Sequence, residues 1–264
     1  MPSSSRAKPR LTQDDRYRQI LALLRRDGTV RIATLAKAFA VTTETARRDL
    51  DDLAASGALK RTYGGGAGRS LTDEPGIGER SRAHAAERGV IGAAAARLVE
   101  PGDVLMIDCG STTALFANAL AARNLHLTVV TNALPVARAL GTSANCRVIL
   151  CPGDFILREG GTYGADTQEF IRRYQANKAF LGAGGLNADG PTDADSASCA
   201  VKRAMMERAD DTTLLLDSSK YDLVQFERIC ALSEIDALVC DAAPSKRLAA
   251  GLRKAGTRVV VAKE

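Results

Sequence analysis

Apolar positions along the chain fall into two regimes. Near the N-terminus, Tyr17, Ile20, Leu21, Leu23 and Leu24 recur at helical spacing and predict an amphipathic helix over residues 15–26, stopped by Asp27-Gly28. The next three residues, Thr29-Val30-Arg31, suit only a short strand. Ile32, Leu35, Ala36 and Phe39 predict a second short helix, and Ala46, Leu50 and Leu53 a third over residues 43–55. Thr42 is the expected N-cap of the third, because its hydroxyl can accept from a free N–H of the first turn. Gly57 ends that helix, residues 58–63 read as a strand, and Gly64-Gly65-Gly66 as a tight turn. The order is helix, helix-turn-helix, wing, over residues 12–68.

The second regime begins at residue 82. Short, wholly apolar runs such as Val104-Leu105-Met106-Ile107, Leu127-Thr128-Val129-Val130, Val148-Ile149-Leu150 and Thr213-Leu214-Leu215-Leu216 alternate with helical patterns. Further strands are expected at 179–181, 237–240 and 258–261. Strands without polar alternation, each followed by a helix, predict an α/β domain with a parallel sheet covered on both faces, over residues 82–264. Between the regimes, residues 69–81 are Gly, Pro, Ser and charge without periodicity and read as a linker. A helix is expected to start at Glu79 and to continue through Val90, Ile91, Ala94 and Leu98 to Pro101-Gly102.

Charge sharpens the picture. The chain carries +5 overall, but residues 1–69 hold 14 Lys/Arg against 7 Asp/Glu, and the rest 22 against 24. A basic N-terminal quarter on a near-neutral remainder is the footprint of a nucleic-acid module joined to something else. The third helix would then lie in the major groove, with Thr43, Glu44, Thr45, Arg47 and Arg48 on its outer face. Lys60, Arg61, Tyr63 and Gly64 of the wing, with Thr42, complete the candidate DNA-binding set, the lysine and arginine placed for phosphates. The glycine run is expected to let backbone approach DNA closely. Six cysteines are scattered without a C-x-x-C pair, two histidines give no metal cluster, and no apolar run reaches the ~20 residues that a bilayer requires. The first ten residues lack the apolar core of a secretory signal, so a cytoplasmic protein without metal or cofactor is expected.

In parallel sheets ligands bind beyond the carboxyl ends of the strands. That rule selects Asp108, Gly110, Ser111, Thr112 and Thr113 after the first strand, Thr131 and Asn132 after the second, Arg158 in a later loop, and Lys220 in Asp217-Ser218-Ser219-Lys220. A Gly/Ser/Thr turn leading into a helix N-terminus has the composition and position of a phosphate cradle. It lacks the lysine of a P-loop and the glycine pattern of a dinucleotide site, which disfavours nucleoside triphosphates and NAD. Lys202, on a helix, either reaches the same cleft or is an exposed helix lysine.

The stretch Val41-Thr42-Thr43-Glu44-Thr45-Ala46-Arg47-Arg48-Asp49-Leu50, followed by Gly57-Ala58-Leu59-Lys60-Arg61-Thr62-Tyr63-Gly64-Gly65-Gly66-Ala67, resembles the DeoR family of bacterial repressors. The family pattern there is V-S-x-x-T-I-R-R-D-L, then G-x-[LI]-x-R-x-H-G-G-A. Thr42, Ala46 and Tyr63 depart from it. Asp108–Thr113, Val130-Thr131-Asn132, Val201-Lys202-Arg203 and Asp217–Tyr221 are similar to the family's sensor domain, so the resemblance runs from about Asp15 to near the end. It implies a sensor related in fold to sugar-phosphate isomerases, a double-stranded DNA operator, a phosphorylated sugar or polyol as effector, and a homodimer or homotetramer. Residues 158–164 look closest to the glycerol 3-phosphate-responsive branch, while Pro152-Gly153 replaces the usual Gly-Gly. The alternative is a sugar-phosphate isomerase or deaminase, with Asp108 or Asp217 as base and Lys220 as stabiliser. The cleft segments contain no histidine, which the related deaminases use.

Overall fold

The computed structural model describes residues 11–55, 58–68 and 70–263. Gly57, expected to stop the third helix, Arg69 at the expected start of the linker, the first ten residues and Glu264 lie outside them. The chain divides between Ser70 and Leu71 into two compact units.

The first unit runs α1 (Gln13–Asp27), β1 (Thr29–Arg31), α2 (Ile32–Phe39), α3 (Thr43–Ala55), β2 (Leu59–Thr62) and β3 (Gly65–Gly68). Helix α1 starts earlier than its apolar pattern because Thr12 and Asp15 cap each other's backbone N–H groups. Gly28, left-handed at φ 72°, closes it. Ile20, Leu24, Leu35, Phe39, Leu50 and Leu59 make the core. A charged clamp reinforces it: the Arg16 guanidinium donates twice to Asp49, at 2.6 and 2.8 Å, and the Tyr17 hydroxyl donates to Asp52 at 2.6 Å, tying α1 to α3. Strands β1, β3 and β2 pair antiparallel in that order. At Gly65 a side chain has no room, since a Cβ would stand 2.0 Å from the Val30 carbonyl oxygen. The buried glycines of the wing therefore serve internal packing, and Gly64 alone of the three is exposed.

The second unit opens with α4 (Ile77–Arg80) and α5 (Ala85–Ala96). The single helix expected from Glu79 is thus broken: the Ser81 hydroxyl donates to the Ile77 carbonyl at 2.6 Å, and His84 takes a left-handed conformation, φ 53°. There follow β4 (Val104–Ile107), α6 (Ser111–Ala121), β5 (Leu127–Thr131), α7 (Leu134–Leu140), β6 (Cys146–Leu150), the hairpin β7 (Asp154–Ile156) and β8 (Gly161–Tyr163), and α8 (Ala165–Arg172). Then come β9 (Ala176–Leu181), the hairpin β10 (Gly185–Asn187) and β11 (Gly190–Asp193), α9 (Ser196–Met206), β12 (Ala209–Leu215), β13 (Glu227–Arg228), β14 (Ala237–Cys240), α10 (Lys246–Ala255) and β15 (Arg258–Val261). Among the described residues the main sheet has seven parallel strands, ordered β15-β14-β12-β9-β4-β5-β6. The chain winds outward one way from β4 and the other way from β9, so the carboxyl ends of these two neighbours form the switch point where such sheets bind ligands. Helices α5 and α6 approach so closely that a Cβ on Gly92 would lie 2.8 Å from the Phe116 nitrogen. One turn earlier on the same face, Arg88 is thereby brought against the start of α6.

Candidate functional site

On the first unit, the Thr42 hydroxyl accepts from the Thr45 N–H at 3.1 Å and caps α3 as the pattern implies. Thr42, Thr43, Glu44, Arg47 and Arg48 are exposed on one end of the helix, with Thr45 half-buried. Glu44 lies 3.7 Å from Arg47 and 3.5 Å from Arg48, spacing the two guanidinium groups apart. Exposed pairs of this kind contribute little to stability, about 0.3–0.5 kcal/mol, and are readily exchanged for another anion. Lys60, Tyr63 and Gly64 are exposed on the wing. Arg61 is placed differently: its Nε lies 2.8 Å from Asp51 and its guanidinium donates to the Gly65 carbonyl, so it braces the wing against α3.

On the second unit, a cavity of about 380 Å³ opens at the switch point. Gly110, Ser111 and Thr112 line it after β4, Gly182 and Ala183 after β9, and Leu216 and Asp217 after β12. The hairpin β7–β8 adds Arg158 and Glu159, and the segment before α5 adds Glu74, Arg80 and Arg88. Lys202 and Lys220 complete the cationic lining. Among the described residues no side chain caps α6 at Gly110, whereas Asp195 caps α9 by accepting from the Ala197 and Ser198 N–H groups at 2.7 and 3.0 Å. Helix α6 therefore presents its N-terminal N–H groups and dipole to the cavity without a protein anion bonded to them.

The cations are held in place by carboxylates. Lys202, 3% exposed, sits 2.9 Å from Asp108 and 3.0 Å from Asp193, and donates to the Ser198 hydroxyl at 2.6 Å. Burial opposes its charge, but the two aspartates outweigh burial and hold its pKa well above the usual lysine value. The same ammonium outweighs burial at Asp193 and holds that carboxyl below its usual value. Arg88 donates to Asp217 at 2.8 Å and to the Ser111 hydroxyl at 3.0 Å, and, against burial, lowers the pKa of Asp217. Arg80 pairs with Glu74 at 3.2 Å and with Glu159.

Of the sequence-predicted residues, Gly110, Ser111, Thr112, Arg158, Lys202 and Lys220 come together around the cavity. Asp108 lies behind it, positioning Lys202 and accepting the Gly182 N–H at 3.1 Å. Thr113, Thr131 and Asn132 do not line it. Thr113 is spent on the Asp108 and Gly110 carbonyls, Thr131 on the Ile107 carbonyl, and the Asn132 amide donates to the Thr162 carbonyl at 3.0 Å. Arg80, Arg88, Glu74, Glu159 and Asp193 were not singled out from the sequence. Arg88 carried a signal, being charged on the buried stripe of Ile91, Gly92 and Ala95. Among the described residues no group of three or more His, Cys, Asp or Glu side chains is arranged to hold a metal, and no helix is long and apolar enough to cross a membrane.

A winged helix-turn-helix followed by a parallel-sheet unit with a cation-lined cavity at its switch point is the architecture of a DNA-binding regulator. A family model described as DeoR-like helix-turn-helix domain matches residues 16–69, and one described as DeoR C terminal sensor domain matches residues 83–242. The chain is 31% identical over 235 residues to the glycerol-3-phosphate regulon repressor of Escherichia coli (strain K12), covering 89% of this chain and 93% of that protein. It is 28% identical over 253 residues to the HTH-type transcriptional repressor GlcR of Bacillus subtilis (strain 168), covering 96% and 97%. Among solved structures it is similar to ribose 5 phosphate isomerase A from Neisseria gonorrhoeae, at 15% identity and a TM-score of 0.38, over 51% of this chain and 52% of that one. The chain belongs to the DeoR family and is a DNA-binding transcriptional repressor.

Proposed function

We propose that this repressor controls carbohydrate or polyol catabolism genes in the cytoplasm and leaves its operator when a phosphorylated sugar or polyol enters the cavity. The observation that carries the reading is the open N-terminus of α6, set among Arg80, Arg88, Lys202 and Lys220. Backbone N–H groups at a helix start, with arginine and lysine nearby, bind phosphate dianions. The volume lies in the usual range for small-ligand sites, about 300–1,000 Å³. Relatives named as repressors of a glycerol-3-phosphate regulon make glycerol 3-phosphate the first effector to try.

On the DNA side, Arg47, Arg48 and Thr43 read base edges or phosphates in the major groove, and Lys60 and Tyr63 contact backbone. Paired heads of a homodimer or homotetramer meet a two-fold operator, as helix-turn-helix geometry requires. The cavity acts by binding rather than turnover. Asp108, the most buried candidate base, faces Lys202 and not the cavity, and Asp217, with its pKa lowered, is a weak base. Gel shifts on the chain's own upstream region, with and without each phosphorylated sugar or polyol, test the reading. Release by one of them is expected, and Ser111→Ala with Lys220→Ala should hold the operator at every concentration of it. Release of the double variant at the wild-type concentration would place the effector elsewhere.

A further inference from the structure

The segment 71–77 runs along the cavity with an uneven exposure pattern. Leu71, Thr72, Asp73 and Pro75 are exposed, while Glu74 between them is buried. The segment is tied down at several points. The Phe226 N–H donates to the Leu71 carbonyl at 3.0 Å, Arg158 donates to the Glu74 carbonyl, and the Ile77 N–H donates to the Arg158 carbonyl at 2.8 Å. The Glu74 carboxylate oxygen lies 3.2 Å from Arg80 and 3.4 Å from Lys220. Burying a carboxylate is unfavourable unless cations meet it, and here the two cations that meet it line the cavity. Arg80 also keeps its buried Nε–H without an acceptor. Arg80 also pairs with Glu159, so the donor capacity that the two carboxylates leave unused is its Nε–H.

We propose that Arg80 and Lys220 form an anion subsite that Glu74 fills in the absence of ligand, and that a phosphate monoester displaces Glu74 and releases segment 71–77. The proposal rests on reading the cavity as a phosphate site. A phosphate dianion brings three strong acceptor oxygens to two cations that now share one oxygen of Glu74. Arg80 keeps Glu159 as its second partner, and the Nε–H of Arg80 gains an acceptor. Because segment 71–77 follows the winged helix in the chain, its release frees backbone that is held to the second unit in the absence of ligand. Ligand binding is thereby converted into a change in how the DNA-binding unit is tethered.

The test is hydrogen exchange of the full chain and of Glu74→Gln and Lys220→Gln variants, each alone and with inorganic phosphate or glycerol 3-phosphate. Without any probe, residues 71–77 should exchange faster in both variants than in the wild type. Affinities should move in opposite directions. Glu74→Gln should bind glycerol 3-phosphate about tenfold more tightly, the factor expected when a closed state populated about 90% is removed. Lys220→Gln should bind it more weakly. Unchanged exchange of 71–77 in Glu74→Gln, or weaker binding by that variant, overturns the proposal. Absence of protection at residues 110–113 of the wild type with either probe overturns the cavity reading and the displacement with it. Exchange of 71–77 in the ligand-free variants separates that failure from a failure of Glu74 to hold the segment.

Discussion

Lys202 shows how far a side chain's surroundings depart from its sequence context. An i, i+4 neighbour of Ser198 on a helix, it could as well face solvent, yet it is the countercharge for two buried aspartates. Lys202→Met would remove the ammonium that Asp108 and Asp193 share, and breaking a buried pair costs about 3–5 kcal/mol. Urea unfolding at pH 7 should show that loss. Asp193 is held below its ordinary pKa of 3.8, so its contribution is complete above that value and fades as pH falls through the lower folded one. Lys202, raised above 10.5, keeps its contribution until pH climbs through its higher folded value. The deficit of the variant should therefore be largest near neutrality and shrink below about pH 4; a deficit independent of pH would contradict this. That Gly110, Ser111 and Thr112 sit at the cavity was legible because a Gly/Ser/Thr turn after a strand is a local signal. Asp193 and Glu74 were not: the residues around them carry no periodicity that would set them facing Lys202 or Arg80, and Lys220 lies 146 positions from Glu74.

Helix α3 joins two tasks. Its exposed face carries Arg47 and Arg48, while Asp49 and Asp52 grip Arg16 and Tyr17 of α1. The Arg-Arg-Asp triplet that carries the family resemblance thus joins two proposed DNA contacts to one clamp residue. Asp49→Ala should lower the stability of the first unit by about 1.5–3 kcal/mol, because the half-buried Arg16 loses both carboxylate bonds and keeps only the Leu11 carbonyl. Arg48→Ala should leave thermal unfolding unchanged within about 0.5 kcal/mol, as exposed substitutions do, and weaken operator binding severely. Calorimetry beside gel shifts would separate the two, and equal melting temperatures for both variants would remove the clamp. The elements of this unit were readable because each has one apolar stripe. The break at residues 81–84 was not, because the alanine-rich pattern runs across it and only a serine back-bond and one left-handed histidine interrupt the helix.

Across the whole molecule, charge is partitioned by task. On the proposed DNA face, Arg47, Arg48 and Lys60 are exposed cations, the two arginines only weakly paired, whereas the cavity keeps its cations matched by carboxylates. DNA affinity should fall steeply with salt, each phosphate contact adding about 0.9 to the slope of log K against log salt concentration. Lys60→Ala should lessen that slope by about one, and an unchanged slope would take Lys60 off the DNA. Strand-helix alternation made the parallel sheet readable, but not the strand order that brings β4 beside β9, which depends on contacts between distant segments. Gly65 has a consequence for genetics. In a screen for alleles that fail to repress, substitutions at this glycine will fall into the same phenotypic class as losses of Arg47 or Arg48. Yet its intolerance comes from a carbonyl oxygen inside its own unit. A map of DNA contacts drawn from phenotype alone would include a residue whose constraint is the packing of β3 against β1.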